Sequence, residues 1–235
     1  MSTKLLAEFF GTMILILLGD GVVAAVVLNK SKAQNGGWMV VASGWAMGVM
    51  VPAFIFGAIS GAHFNPALTI ALAFIGKFPW AEVPGYVIAQ MLGAMAGATL
   101  VYLAYLDHWK VTDDKAGKLA VFCTGPAIRN YSSNFITEVI GTFVLVFVIL
   151  GIGNVKAADG IPTFVVGGLI LALGLSLGGP TGYAINPARD LGPRIMHAIL
   201  PIAGKGGSDW AYAWIPVLAP VVGGVMAALV WVAVF

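Results

Sequence analysis

Gly61-Ala62-His63-Phe64-Asn65-Pro66-Ala67 and, 121 residues later, Gly182-Tyr183-Ala184-Ile185-Asn186-Pro187-Ala188 present one pattern twice. In each, an asparagine precedes a proline, which is the ordinary signal for a helix start: the Asn side chain caps, and the Pro sits where no backbone N–H is needed. The apolar stretches that follow, about 65–76 and 186–199, are too short to cross a bilayer core and reach only half-way at 1.5 Å per residue. Two short capped helices in matching places point to a binding or permeation site built from broken membrane helices.

The rest of the composition places that site in lipid. Of 235 residues, 60% are hydrophobic and only 9% charged, against about a quarter charged in soluble domains. A net charge of +2 argues against a nucleic-acid binder, and a single cysteine, Cys123, against a disulfide scaffold. Six apolar windows long enough for a helical crossing lie at about 5–28, 38–60, 82–106, 134–155, 160–178 and 212–235. They are continuously apolar and lack the two-residue alternation of a membrane strand, so an all-α membrane protein of six transmembrane helices plus two re-entrant half-helices is expected.

The chain also repeats itself. Glu8-x-x-Gly11-Thr12 recurs as Glu138-x-x-Gly141-Thr142 and Gly93 as Gly223, both 130 residues on, in the same order as the Asn-Pro-Ala boxes. The expected organisation is one channel domain, 1–235, made of two units, about 5–106 and 134–235, joined by a loop at 107–133. With three crossings per unit, the second enters from the opposite face, giving an inverted repeat whose half-helices meet near the midplane. Both N-termini would then place partial positive charge there, with the amides of Asn65 and Asn186 as further donors, opposing cations and protons. Irregular backbone at that depth survives only where it faces protein or a wet cavity, so Gly61, Ala62, His63 and Gly182, Tyr183, Ala184 read as a ladder of pore-lining carbonyls.

The paired boxes (Asn65, Pro66, Ala67; Asn186, Pro187, Ala188), the duplicated Glu-x-x-Gly-Thr opening, Ser60-Gly61-Ala62-His63-Phe64 and Asn186-Pro187-Ala188-Arg189-Asp190 together resemble the aquaporin or major intrinsic protein family over essentially the whole chain. The resemblance implies homotetramers in the cell membrane, one pore per subunit, and cytoplasmic termini. It also implies a four-residue selectivity filter, carried over by spacing from the boxes to Trp45, Gly174, Tyr183 and Arg189. Trp and Gly at the first two positions are similar to the glycerol facilitator (aquaglyceroporin) branch, as is Asp190 after the arginine; Gly174 in place of a bulky His would open space. Tyr183 departs from that branch, which usually carries Phe there. The expected function is passive passage of glycerol, water and other small uncharged solutes. The alternatives are a water-dominant pore, a pore for a protonated small organic acid, dihydroxyacetone, urea or hydrogen peroxide, and, more remotely, an ion-coupled transporter. Neither enzyme activity nor a cofactor is expected.

Several residues have plainer readings. Glu8 and Glu138 are costly inside spans, and their duplication favours accepting hydrogen bonds from the backbone leading into the half-helices. Asp190 is placed with them as support. Asp20, near the end of the first span and unduplicated, is expected at the interface. His63 lacks a second ligand at metal spacing. Gly174-x-Ser176-x-Gly178 lies in an apolar span rather than between strand and helix, so it is not read as a nucleophile elbow. Gly93-x-x-x-Gly97 reads as close helix packing. One count runs against the family: Lys4, Lys77 and Lys156 fall on the side of the termini, while Lys30, Lys32, Lys110, Lys115, Lys118, Arg129 and Lys205 fall on the other. Charge alone would place the termini outside.

Overall fold

The computed structural model describes residues 2–235, and among them the only regular structure is helical. Helices α1 (Thr3–Val27), α2 (Trp38–Ser60), α4 (Val83–Ala104), α7 (Tyr131–Gly153) and α10 (Ile215–Val234) are long and apolar enough to cross a membrane, α4 with the 3-10 turn Trp80–Glu82 before it. The sixth expected crossing is α8 (Ile161–Leu177), whose 17 residues stand at the lower end of the spanning range. The half-helices are α3 (Pro66–Phe74) and α9 (Pro187–Ile199). The segment 107–133, expected as a loop, instead carries α5 (Leu106–Val111) and α6 (Lys115–Phe122), the latter capped by Asp114, whose carboxylate accepts from the Ala116 N–H. Trp109, Val121 and Phe122 are buried beneath it, so this connection closes over the helix bundle rather than trailing in solvent.

Glycine lets the helices approach closely, which matters where lipid supplies no hydrophobic force between them. A Cβ on Gly93 would stand 2.3 Å from the Phe9 carbonyl oxygen, and one on Gly223 2.3 Å from the Val139 carbonyl oxygen. The pairs α1–α4 and α7–α10 are thus fastened by the same contact at positions 130 apart. The half-helices cross over between the units. Gly192 of α9 packs on Ala94 of α4, and Gly224 of α10 packs on Ala67 and Ala71 of α3.

The stretches entering the half-helices take an unusual backbone path. Ala62 and Phe64 adopt φ of 50° and 48°, and their counterparts Tyr183 and Ile185 adopt 39° and 43°. Left-handed conformations at residues with a Cβ cost about 1–3 kcal/mol each and persist only where the surroundings impose them. Two buried carboxylates do so. Glu8 accepts from the His63 N–H (3.0 Å), the Phe64 N–H (2.8 Å), the Ser60 hydroxyl (2.7 Å) and the Gln90 amide (2.8 Å). Glu138 accepts from the Ala184 N–H (2.9 Å) and the Ile185 N–H (2.8 Å).

Two outcomes follow. Gly223→Ala should destabilise the protein by about 1–3 kcal/mol, because its new methyl meets backbone that cannot yield; a drop in the thermal midpoint of the detergent-solubilised protein measures it. Glu138→Gln conserves shape but offers one acceptor oxygen to two N–H groups, and should cost about 1–3 kcal/mol for the donor left unpaired. An unchanged midpoint in that variant would show that the loop does not depend on the carboxylate.

Candidate functional site: a constricted pore between the half-helices

Where the two half-helices meet, each asparagine has two tasks. Asn65 Oδ1 accepts from the Ala67 N–H (2.9 Å), while Asn186 Oδ1 accepts from the N–H groups of Ala188 (3.0 Å) and Arg189 (3.2 Å). Each side-chain amide then donates across to the opposite loop: Asn65 Nδ2 to the Ile185 carbonyl (2.8 Å), and Asn186 Nδ2 to the Phe64 carbonyl (2.9 Å). An amide carries two N–H donors, so one remains on each asparagine after the cross-link. Both asparagines line a cavity of about 80 Å³, together with the loop residues Ala62, His63, Phe64, Tyr183, Ala184 and Ile185 and the apolar side chains of Leu15, Val49, Leu145 and Ile170. The helix N-termini of α3 and α9 bring partial positive charge to this point.

Of the carbonyl ladder expected from sequence, Ala62, His63, Tyr183 and Ala184 border this cavity. Gly182 borders the next one, and Gly61 caps α2 in a left-handed conformation. Phe64 and Ile185 were missed; their spacing beside the boxes offered no polar side chain to mark them, yet their carbonyls receive the asparagine amides. The prolines and alanines of the two boxes are buried within the half-helix starts.

A second cavity of about 290 Å³ lies on the other side of the expected filter, walled by Val23, Val26, Trp38, Val41, Cys123 and Thr124 among others. Trp45, Tyr183 and Arg189 line both cavities and so form the neck between them. The Arg189 guanidinium lies 3.9 Å from the centre of the Trp45 ring, a cation–π stack with one broad apolar face turned to a charged one. Gly174 joins this group indirectly. It borders neither cavity, and a Cβ there would stand 2.9 Å from Tyr183 Cζ and Oη and 3.1 Å from the Ala42 methyl. The room that Gly174 leaves is therefore taken by the Tyr183 phenol rather than opened to the lumen, and the phenol hydroxyl is buried. The Gly174 carbonyl is held by the Trp38 indole N–H at 2.8 Å.

Asp190 faces away from the neck. It accepts from the Thr124 N–H and hydroxyl (both 2.7 Å) and from Arg194 Nε (2.8 Å), and Arg194 continues to the carbonyls of Thr124, Ser208 and Asp209. This buried network fixes α9 to the segments on either side. Arg194 escaped the sequence reading, although its position four residues after Asp190 on one helix face is a visible pairing signal. Asp20 contradicts its expected interfacial place: it is fully buried, with Oδ1 3.6 Å from Arg189 Nη1. Ser176 sits inside α8, and His63 packs against Phe78 and Tyr86 with its Nδ1 3.1 Å from the Thr69 hydroxyl, a half-helix contact behind the loop.

Comparison with known proteins agrees with this architecture. The sequence profile of the family described as Major intrinsic protein matches residues 1–231. A Thermotoga maritima protein named "Probable glycerol uptake facilitator protein" is 62% identical over 223 residues, covering 95% of each chain. The Bacillus subtilis "Glycerol uptake facilitator protein" is 60% identical over 222 residues, covering 94% of this chain and 81% of its own. Among solved structures, the aquaglyceroporin from Plasmodium falciparum superposes with a TM-score of 0.87 at 31% identity, over 99% of this chain and 96% of that one. The all-helical fold, the half-helix pair and these matches place the chain in the major intrinsic protein family.

Proposed function

We propose that the protein is a passive channel of the cell membrane that passes glycerol, water and other small uncharged polar solutes and excludes ions and protons. The observation that carries this reading is the neck at Trp45, Tyr183 and Arg189, which joins two cavities and sets aromatic rings and a guanidinium stacked on one of them side by side. A polyol is itself two-faced: its C–H edge suits the rings, and its hydroxyls suit Arg189 and the carbonyls of the re-entrant loops. The names of the relatives support glycerol as the solute class. Trp45, Gly174, Tyr183 and Arg189 act as the filter, with Gly174 serving as the seat of Tyr183. Exclusion of cations and protons comes from Arg189, the half-helix N-termini and the asparagine amides at the midplane.

The two units are inverted copies, which explains why contacts recur at offsets of 130 and 121 and why each half-helix packs on the other unit's last helix. Four subunits assemble in the bilayer, covering part of the exposed apolar surface on α2, α7, α8 and α10, where Phe54, Ile136, Phe164 and Val232 are each more than half exposed. Both termini face the cytoplasm. The basic residues that oppose this by count are partly committed to the fold: Lys118 is buried and donates to the Ala203 carbonyl, Lys205 donates to the carbonyls of His197, Ala198 and Leu200, and Arg129 pairs with Asp209. Such residues are placed by helix ends and loops, and they weigh less as topology signals.

Proteoliposomes mixed with external glycerol should shrink and reswell rapidly, without saturation and without a proton or sodium gradient. Reswelling that needs either gradient would overturn the channel reading, and fast water flow with no glycerol entry would move the protein to a water-selective pore. A change at Gly174 separates the two fluxes. Gly174→His must drive the Tyr183 ring toward the lumen, and glycerol flux should fall by about tenfold or more while water flux falls less. Equal losses for both would show that Gly174 does not shape the filter.

A further inference from the structure

Two adjacent residues of α1 lack counterparts in its repeat mate. Gly19 makes room for the Trp45 ring, since a Cβ there would lie 2.3 Å from Trp45 Cζ3. Asp20 stands beside it with zero exposure, and neither carboxylate oxygen has a hydrogen-bond partner. The nearest charge is Arg189 Nη1 at 3.6 Å, itself buried and without a hydrogen-bond partner. A buried carboxylate is expensive unless a cation or several donors accompany it. Glu8 and Glu138 meet that condition with backbone N–H groups, whereas Asp20 has the guanidinium alone.

The repeat supplies an internal comparison. At an offset of 130 the counterpart of Asp20 is Leu150, and at 121 the counterpart of Arg189 is Leu68. Leu68 and Leu150 belong to one buried apolar cluster with Ala71 and Val146. The two positions therefore change character together: both are leucine where the pore has no filter and both are charged where it has one. The braces and helix contacts that serve both half-helices are copied in each unit, as with Glu8 and Glu138 and with Gly93 and Gly223, whereas the Asp190–Arg194 tether belongs to α9 alone. Asp20 is not copied, and it keeps company with the uncopied filter.

We propose that Asp20 is a positioning residue of the neck. Its carboxylate draws Nη1 of Arg189 toward α1 and keeps the guanidinium flat against the Trp45 ring, which leaves the remaining donors of Arg189 fixed for a passing hydroxyl. The filter then presents a held dipole rather than a mobile cation. This rests on the reading of the neck as the selectivity barrier, and Asp20 acts through Arg189 without touching the solute.

The test is a double-mutant cycle on the full chain, comparing wild type with Asp20→Asn, Arg189→Gln and the double variant. Thermal midpoints in detergent form the first readout. Asp20→Asn strands a buried guanidinium and should lower the midpoint most, and adding Arg189→Gln should restore it toward wild type. Should the single variant fail to fold, a folded double variant gives the same answer. Glycerol-to-water permeability ratios in proteoliposomes form the second. The ratio should fall by about tenfold in Asp20→Asn and change by less than about twofold when the same substitution is added to Arg189→Gln. Additive midpoint losses, a double variant that also fails to fold, or a wild-type ratio in Asp20→Asn would each overturn the proposal. If the wild type passes no glycerol, the glycerol reading falls, and the Asp20 coupling is decided by the midpoints and by osmotic water flux.

Discussion

Irregular backbone at membrane depth has nowhere to find hydrogen bonds except within the protein, and the structure is arranged around that fact. Four N–H groups leading into the half-helices are taken up by two carboxylates, Glu8 and Glu138. Burying those carboxylates is itself costly, and the N–H groups they satisfy are what makes their burial tolerable. Each partner is unacceptable in lipid without the other. The left-handed residues at Ala62, Phe64, Tyr183 and Ile185 follow from this, because the chain must turn its N–H groups to the carboxylate and its carbonyls elsewhere.

The same economy governs the neck. Arg189 is tolerated in a narrow apolar passage because Trp45 offers a ring face and Asp20 a counter-charge. Asp190, one residue on, is turned outward into a separate network with Thr124 and Arg194. Within the first turn of α9, Asn186 caps the helix, Arg189 lines the neck and Asp190 tethers the helix to its neighbours. Half-helix α3 has a cap but brings no charge to the neck, and its corresponding positions Leu68 and Thr69 fill an apolar cluster and accept from Gln90 instead.

Much of this is visible in the sequence because lipid makes the rules strict. Apolar runs such as 38–60 coincide with α2, and the Asn-Pro pairs mark the start of α3 and α9 to the residue. Less legible were features whose partners are distant or whose helices are short. Helices α5 and α6 are six and eight residues long, too brief for periodicity to stand out, and only Asp114 hints at one. Asp20 reads as an interfacial charge until its partner, 169 residues away in sequence, is brought beside it. Gly174 signals space, but only the folded chain shows that the Tyr183 ring fills it. Local physics identifies the elements, whereas the neck depends on which of them the two repeats bring face to face.

The reciprocal asparagine cross-links also bear on how the chain reaches this state. Asn65 bonds a carbonyl 120 residues later in the chain, and Asn186 bonds one 122 residues earlier. Contacts spanning that much sequence pay their loop-closure entropy before they return anything, so they form late. The first unit can be made, inserted and packed as α1 against α4 while its half-helix still waits for a partner not yet synthesised. A ribosome has to deliver nearly the whole protein before the conduit has walls. The passage is consequently shut, or absent, throughout biosynthesis, and a nascent fragment spares the membrane a leak.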